Sequence, residues 1–206
     1  MLSTPEQSTD NPADNRADNP AADATADTTG GTAPAGPAHD EATDLLSALA
    51  HHRGLLLRTV QGLDDEQATR RTTVSELSLA GLVKHVAGVE RSWTAFVLDG
   101  AGAIGNFSEM TEADLAAWGD AFRLLPGETL AGVLSEYEAV AARTAEVFGS
   151  LADLSVAQPL PEAPWFEAGA AWSARRVLVH VLAETTQHAG HADIIREALD
   201  GQKTMG

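Results

Sequence analysis

A stretch rich in histidine and glutamate near the C-terminus holds the side chains best suited to bind a metal ion. His180, Glu184, His188 and His191 follow one another at intervals of three or four residues. At about 100° of helical rotation per residue, the last three lie at about 40°, 80° and 20° from His180, so all four share one helix face. Apolar residues such as Val181 share that face. These polar groups are therefore predicted to point into a core, where they need partners.

His85 lies on the apolar face of a second segment, between Leu82 and Val89. Glu184 and His188 are one turn apart, about 6 Å along the axis, a spacing at which two side chains can hold one ion. Adding His85 gives three protein ligands around one point, the layout of a catalytic divalent-metal site with an open position. Two imidazoles and a carboxylate suit zinc, iron or nickel. The residue types and their spacing therefore allow a divalent metal site.

The same residues also allow a metal-free core. Inward-facing histidines are more often hydrogen-bonded core residues than ligands, and from the residues alone a polar network is as well supported as a metal. His191 leaves the ligand set open, since it could replace Glu184, hydrogen-bond to a ligand or carry a proton. The four remaining histidines are assigned to no site. We expect His52 and His180 to be hydrogen-bonded core residues, and His39 and His51 to be exposed.

Four amphipathic helices are predicted to position these side chains. Their apolar residues recur every three or four positions. The helices begin at Asp40, at Ser78, after Pro126 and after Ser173. No segment of comparable length alternates with period two, so the fold class is all-α, a four-helix bundle. The long link at 99–125 can cross the length of a bundle, which favours an up-down-down-up order with the crossover between helices two and three.

The first part of the chain differs in composition from the rest. Residues 1–39 are rich in Ala, Asp, Asn, Thr, Pro and Gly and hold five of the nine prolines. Such a tract buries too little apolar surface to offset the entropy of ordering it. We predict a disordered acidic tail over 1–39 and the bundle over 40–206.

Charge and cysteine content exclude several functions. Asp and Glu number 30 against 13 Lys and Arg, a net charge of −17, which disfavours binding to nucleic acid or to an anionic membrane. The chain has no cysteine, so disulfides, thiolate ligands and a cysteine nucleophile are excluded and thiol chemistry would need a thiol co-substrate. No apolar run reaches the roughly 18 residues of a membrane span, and no signal peptide is recognisable. The predicted location is the cytoplasm.

Two further groups of residues leave alternatives open. Arg175 and Arg176 begin the last helix, where cations oppose the helix dipole. They could bind a carboxylate-bearing substrate or pair with surface carboxylates. Large aromatic residues outside the long helices could wall a pocket over the metal end or cap the core. They are Trp118, Phe122, Trp165, Phe166 and Trp172.

Three stretches of the sequence resemble the DinB-like family of four-helix metalloenzymes, and within it the branch that includes the mini-circle protein. They are residues 79–93 (LAGLVKHVAGVERSW), 126–130 (PGETL) and 172–193 (WSARRVLVHVLAETTQHAGHAD). The resemblance extends over roughly 44–201. It implies an up-down-down-up bundle with a divalent metal near one end of its core.

The resemblance also implies a ligand set and a reaction. His85 stands at the position of the family's histidine on the second helix. Glu184 and His188 stand at the positions of the pair on the last helix, and Glu184 replaces the histidine that is commoner there. Characterised members use low-molecular-weight bacterial thiols such as mycothiol, which they add to an electrophile or use to isomerise one. A metal-dependent thiol transferase, or a related isomerase or lyase, is expected, with a small-molecule thiol and an electrophile as partners. Related bundles often dimerise through helix faces, so a homodimer is expected. The alternative is a non-enzymatic helical binding module.

Overall fold

The chain is mostly helical, as predicted. A computed structural model describes residues 40–105, 107 and 110–204, and the predicted tail at 1–39 lies outside the described residues. None of the described helices is long and apolar enough to span a membrane. The described elements, in chain order, are α1 (Glu41–Arg58), α2 (Asp65–Thr69), α3 (Leu79–Asp99), a 3-10 helix (Gly100–Ala103), α4 (Glu112–Asp120), α5 (Leu130–Ser150), β1 (Ala157–Pro159), β2 (Ala171–Ser173) and α6 (Ala174–Asp200).

Side-chain caps fix where the long helices begin. Asp40, Ser78 and Ser173 each accept a hydrogen bond from a backbone N–H in the first turn of α1, α3 and α6. The helix predicted after Pro126 begins at Leu130, because Thr129 provides the cap. Gly201 ends α6 with a φ of 80°, a conformation that costs glycine little.

The buried face of α5 includes Val133, Tyr137 and Val140, whereas Leu134 and Ala141 are only half-buried. From Leu130 to Val147 the buried positions of α5 repeat at alternating steps of three and four residues. A repeat of this kind keeps one narrow stripe of α5 side chains packed against the neighbouring helix α3.

Two short strands add an unpredicted β-hairpin. β1 pairs antiparallel with β2, with Gln158 opposite Trp172. Backbone hydrogen bonds continue from the hairpin into α6, where Ala174 N donates to Val156 O at 2.8 Å and Arg175 N donates to Leu154 O at 2.9 Å. The first amides of a helix lack partners within the helix, so these bonds both satisfy them and fix the hairpin to α6.

The long helices bury two hydrophobic clusters. α1 packs mainly against α6, and α3 packs against both α5 and α6. The first cluster includes Leu56, Leu82, Val86, Val133, Tyr137 and Ile195. The second cluster includes Leu49, Phe96, Val147, Phe148, Val177 and Val181.

A polar layer separates the two clusters on each of the four long helices. It consists of Arg53, Glu90, Thr94, Thr144 and Thr185, all buried. Arg53 of α1 donates two hydrogen bonds to the fully buried Glu90 of α3, from Nε at 2.9 Å and from Nη2 at 2.6 Å. The hydroxyls of Thr94 and Thr144 lie 3.0 Å apart. Because both oxygens of Glu90 are bonded, its charge can stay in the core.

Candidate metal centre

Three of the predicted site residues meet where α3 contacts α6, and we call them the His-Glu-His trio: His85, Glu184 and His188. Glu184 Oε2 lies 3.5 Å from His188 Nε2 and 4.0 Å from His85 Nε2. One potential ligand atom from each residue lies within 4.8 Å of the other two, and all three residues are half-buried. The pair on α6 is one helical turn apart, and His85 faces it from α3.

The spacing of the trio suits a shared ion better than direct hydrogen bonds. Good hydrogen bonds between nitrogen and oxygen are about 2.7–3.2 Å long, and the two nitrogen–oxygen distances exceed this range. Tetrahedral ligands about 2.1 Å from a metal lie about 3.4 Å from one another. The observed distances of 3.5 and 4.0 Å are slightly longer than that value, so the three side chains could hold a metal ion after a small inward movement.

The protonation states of His85 and Glu184 also suit a cation. Burial lowers the pKa of His85 to about 4, and His188 adds to this while Glu184 opposes it. The pKa of Glu184 is lowered, mainly by the neighbouring His188 imidazole, while burial acts in the opposite direction. At neutral pH His85 is therefore uncharged with a free lone pair and Glu184 is ionised, which are the forms that bind metals.

Phe122, in the segment after α4, covers His85. Their rings stack with centroids 3.9 Å apart and an interplanar angle of 19°. The segment can approach α3 this closely because position 81 is glycine: a Cβ on Gly81 would lie 1.9 Å from the Phe122 carbonyl oxygen. Lys84 Nζ also donates a hydrogen bond to the Arg123 carbonyl oxygen at 3.1 Å. The segment is thus held against α3, and one side of His85 is shielded.

His191 lies beside the trio but outside it. Its ring centroid is 5.5 Å from that of His188. Nδ1 of His188 and Nδ1 of His191 are both buried, and neither has a hydrogen-bond partner among the described residues. Both a metal-free polar core and a bound metal would call for partners at such atoms, so the two nitrogens do not distinguish the alternatives.

The other histidines have different surroundings. His180 is half-buried, and its ring meets those of Trp93 and Trp172 edge-on, with centroids 4.8 and 5.1 Å away. Burial lowers the pKa of His180, and Glu184 opposes this effect. His52 is half-buried and His51 is exposed. His39 lies outside the described residues.

The two arginines at the start of α6 have partners within the protein. Arg175 Nη2 donates a hydrogen bond to Glu41 Oε2 of α1 at 2.8 Å. The guanidinium of Arg176 lies over the Trp172 ring, 5.0 Å from its centroid. Pairing on the protein surface, one of the two predicted alternatives, accounts for Arg175.

A cleft of about 690 Å³ opens beside the trio, and His85 and Glu184 form part of its wall. Of the five aromatic residues predicted to wall a pocket or cap the core, four line this cleft, namely Trp118, Trp165, Phe166 and Trp172. The fifth, Phe122, covers His85 instead. The sequence had given no reason to include Trp93, which also lines the cleft from α3 and stacks on Trp172 with centroids 4.6 Å apart.

Comparison with known protein families agrees with the DinB-like resemblance. A family model described as mycothiol-S-transferase matches residues 44–201, a range that contains the whole His-Glu-His trio and the cleft beside it. No curated protein matches the chain. The match extends over more than half of the chain, and the chain therefore belongs to the mycothiol-S-transferase family.

Proposed function

We propose that this protein is a metal-dependent transferase that joins a low-molecular-weight bacterial thiol, mycothiol or a close relative, to an electrophilic small molecule. The convergence of His85, Glu184 and His188 on one point is the observation that carries the proposal. Membership of the mycothiol-S-transferase family supports the thiol. In the reaction, the thiol sulfur forms a bond to an electrophilic carbon. The thiol proton passes to the product in an addition, or leaves with the departing group in a substitution.

The trio would hold a divalent ion of zinc, iron or nickel. When bound, such an ion supplies positive charge that favours the thiolate over the thiol at neutral pH. Glu184 contributes a carboxylate and His85 a neutral imidazole. Phe122 keeps water from one face of His85. Because the chain has no cysteine, the reacting sulfur belongs to the substrate.

His191 is proposed to act from outside the ligand set. Its position next to His188, with a buried and unpartnered Nδ1, suits a residue that hydrogen-bonds to a ligand or carries the thiol proton away. Glu184, rather than His191, is proposed as the third ligand because its Oε2 lies 4.0 Å from Nε2 of His85 and 3.5 Å from Nε2 of His188.

We also propose the up-down-down-up bundle as the fold of residues 40–206. Support comes from the order in which each long helix passes the two hydrophobic clusters. Along α1 and α6 the residues of the second cluster come first, whereas along α3 and α5 those of the first cluster come first. The crossover between α3 and α5 would then contain α4. A homodimer and a cytoplasmic location stay predictions. Analytical ultracentrifugation would test the first by measuring the mass of the protein in solution.

Metal analysis tests the proposed centre. Native protein, purified without a metal-binding tag, is expected to carry about one equivalent of zinc, iron or nickel by inductively coupled plasma mass spectrometry. His85→Ala and His188→Ala should each lose it. His51→Ala is the matched control, because His51 is an exposed histidine on α1 and should leave the metal content unchanged.

Two more variants separate the candidate third ligands. We expect Glu184→Ala to lose the metal and His191→Ala to keep it while losing thiol-transfer activity. The opposite pattern would place His191 in the ligand set. If native protein holds no metal and takes up none on titration, the transferase proposal fails and a metal-free binding module becomes the better account.

A further inference from the structure

We infer that the cleft beside the trio binds the electrophile, and that this electrophile is a planar, uncharged aromatic molecule. The inference rests on the proposed function only in calling the ligand an electrophile. The preference for a flat aromatic ligand comes from the cleft itself.

The cleft is continuous with the trio. His85 and Glu184 are shared by the trio and the cleft wall. His180, one helical turn before Glu184 on α6, also lines it. A molecule bound there would thus have one end beside the point on which the three potential ligands converge. Its volume of about 690 Å³ is that of an ordinary small-molecule site and accommodates a molecule of two or three fused rings.

The cleft wall is a connected series of aromatic rings. At the inner end, Trp93 stacks on Trp172 with an interplanar angle of 16°. Phe166 meets Trp172 edge-on at 5.7 Å and lies 6.1 Å from Trp165. At the outer end Trp165 lies 6.2 Å from Trp118 of α4. Aromatic rings attract one another in offset or edge-on geometries at these distances, so the series offers faces and edges to a flat ligand along its length.

The charged groups in the cleft wall already have partners. Arg91 forms an ion pair with Glu136 of α5. Asp114 accepts hydrogen bonds from the backbone N–H and the hydroxyl of Thr111, at 2.8 and 2.7 Å. The third charged group, Glu184, belongs to the trio. Among the described side chains that line the cleft, the single Lys or Arg, Arg91, is paired with Glu136, and away from the trio no charged group is free to receive a carboxylate or phosphate. The cleft therefore favours an uncharged ligand.

Two wall residues allow a clean test because they are large, aromatic and half-exposed. Trp165 is 54% exposed and Trp118 is 45% exposed, so replacing either with Ala should leave the fold intact. Leu115→Ala is the matched control, since Leu115 is a large apolar residue on the same helix as Trp118, is 57% exposed and does not line the cleft.

The experiment is calorimetric titration of the full-length protein with three probes of similar size: 2-naphthol, its saturated analogue decahydro-2-naphthol, and 2-naphthoate. We expect 2-naphthol to bind most tightly. Trp165→Ala and Trp118→Ala should each raise its dissociation constant about 2- to 12-fold, the effect of losing one aromatic pair. Leu115→Ala should leave it unchanged.

Several results would overturn the inference: equal binding of decahydro-2-naphthol, equal or tighter binding of 2-naphthoate, or an unchanged dissociation constant in both tryptophan variants. The titration needs neither metal nor thiol. If naphthol binds as expected but no thiol is transferred to any electrophile, the proposed function fails and the aromatic site stands. If thiol is transferred to aliphatic electrophiles and naphthol does not bind, only the inference fails.

Discussion

Replacing Gly81 with Ala is expected to destabilise the protein and to loosen the cover of the candidate metal centre. A Cβ at position 81 would lie 1.9 Å from the carbonyl oxygen of Phe122 and 2.6 Å from its carbonyl carbon. Ordinary carbon–oxygen contacts are about 3.3–3.6 Å long, so the backbone must separate by roughly 1.5 Å. The opposing atoms belong to the main chain and cannot rotate away.

Overpacking of this kind typically costs about 1–3 kcal/mol of the free energy of unfolding. For a chain of this size that corresponds to a fall in Tm of about 2–12 °C. The same displacement would move the Phe122 ring away from His85, on which it now stacks with centroids 3.9 Å apart. We therefore expect Gly81→Ala to bind a divalent metal more weakly as well.

Thermal and urea unfolding, followed by far-ultraviolet circular dichroism, measures the change. The matched control is Gly54→Ala in α1, where an added Cβ would meet nothing within 4 Å. This substitution should stabilise the protein by about 0.4–1 kcal/mol, because it reduces the freedom of the unfolded chain. A Gly81→Ala protein as stable as the wild type would refute the reasoning, as would an equal loss in the control.

Three further predictions concern the polar layer, the single tyrosine and the N-terminal tail. Arg53→Met leaves the buried Glu90 carboxylate without its partner and should lower the free energy of unfolding, measured in urea, by about 3–5 kcal/mol. Adding Glu90→Leu should restore most of that loss, and a double variant no more stable than the single one would contradict this. Burial and the Glu90 charge raise the pKa of Tyr137. The folded state therefore keeps the phenol proton at a pH where the unfolded chain releases it, near 10, and stability should fall as pH rises through and beyond that value. Because Tyr137 is the only tyrosine, tyrosinate absorbance reports it alone and should appear only with unfolding; a transition near pH 10 in folded protein would contradict the prediction. Deleting residues 1–39 should leave Tm nearly unchanged, and a clear fall would show that they contribute to stability.

The parts of the structure that could be predicted from the sequence depend on local rules. Capping residues and a C-terminal glycine set the ends of α3 and α6 through bonds within a few residues of each helix end. The common face of Glu184 and His188 follows from helix periodicity alone. His85 was a candidate because a histidine stood in an apolar stripe. Its distance from the α6 pair depends on how α3 and α6 pack.

The contacts that were missed join residues far apart in the chain. Arg53 and Glu90 come from different helices, and their pairing depends on how α1 packs against α3. One signal was available: Glu90 lies one turn after Val86 and one turn before Thr94, on the buried face of α3. The close approach of Phe122 to Gly81 depends on the path of a long connection, for which the sequence offers no period. Strands of three residues, such as β1 and β2, are too short to show a period of two.

The hairpin formed by β1 and β2 separates a loop that lines part of the cleft from the helices that carry the trio. The loop at 160–170 begins and ends on the hairpin, where Leu160 N donates to Ala170 O at 2.9 Å. It carries Trp165 and Phe166, whereas α3 and α6 carry the trio. Mutation or resizing of this loop can therefore reshape the cleft wall while every potential metal ligand keeps its place. Under the proposed function, the range of electrophiles would therefore be set in part by a loop that can change without moving His85, Glu184 or His188.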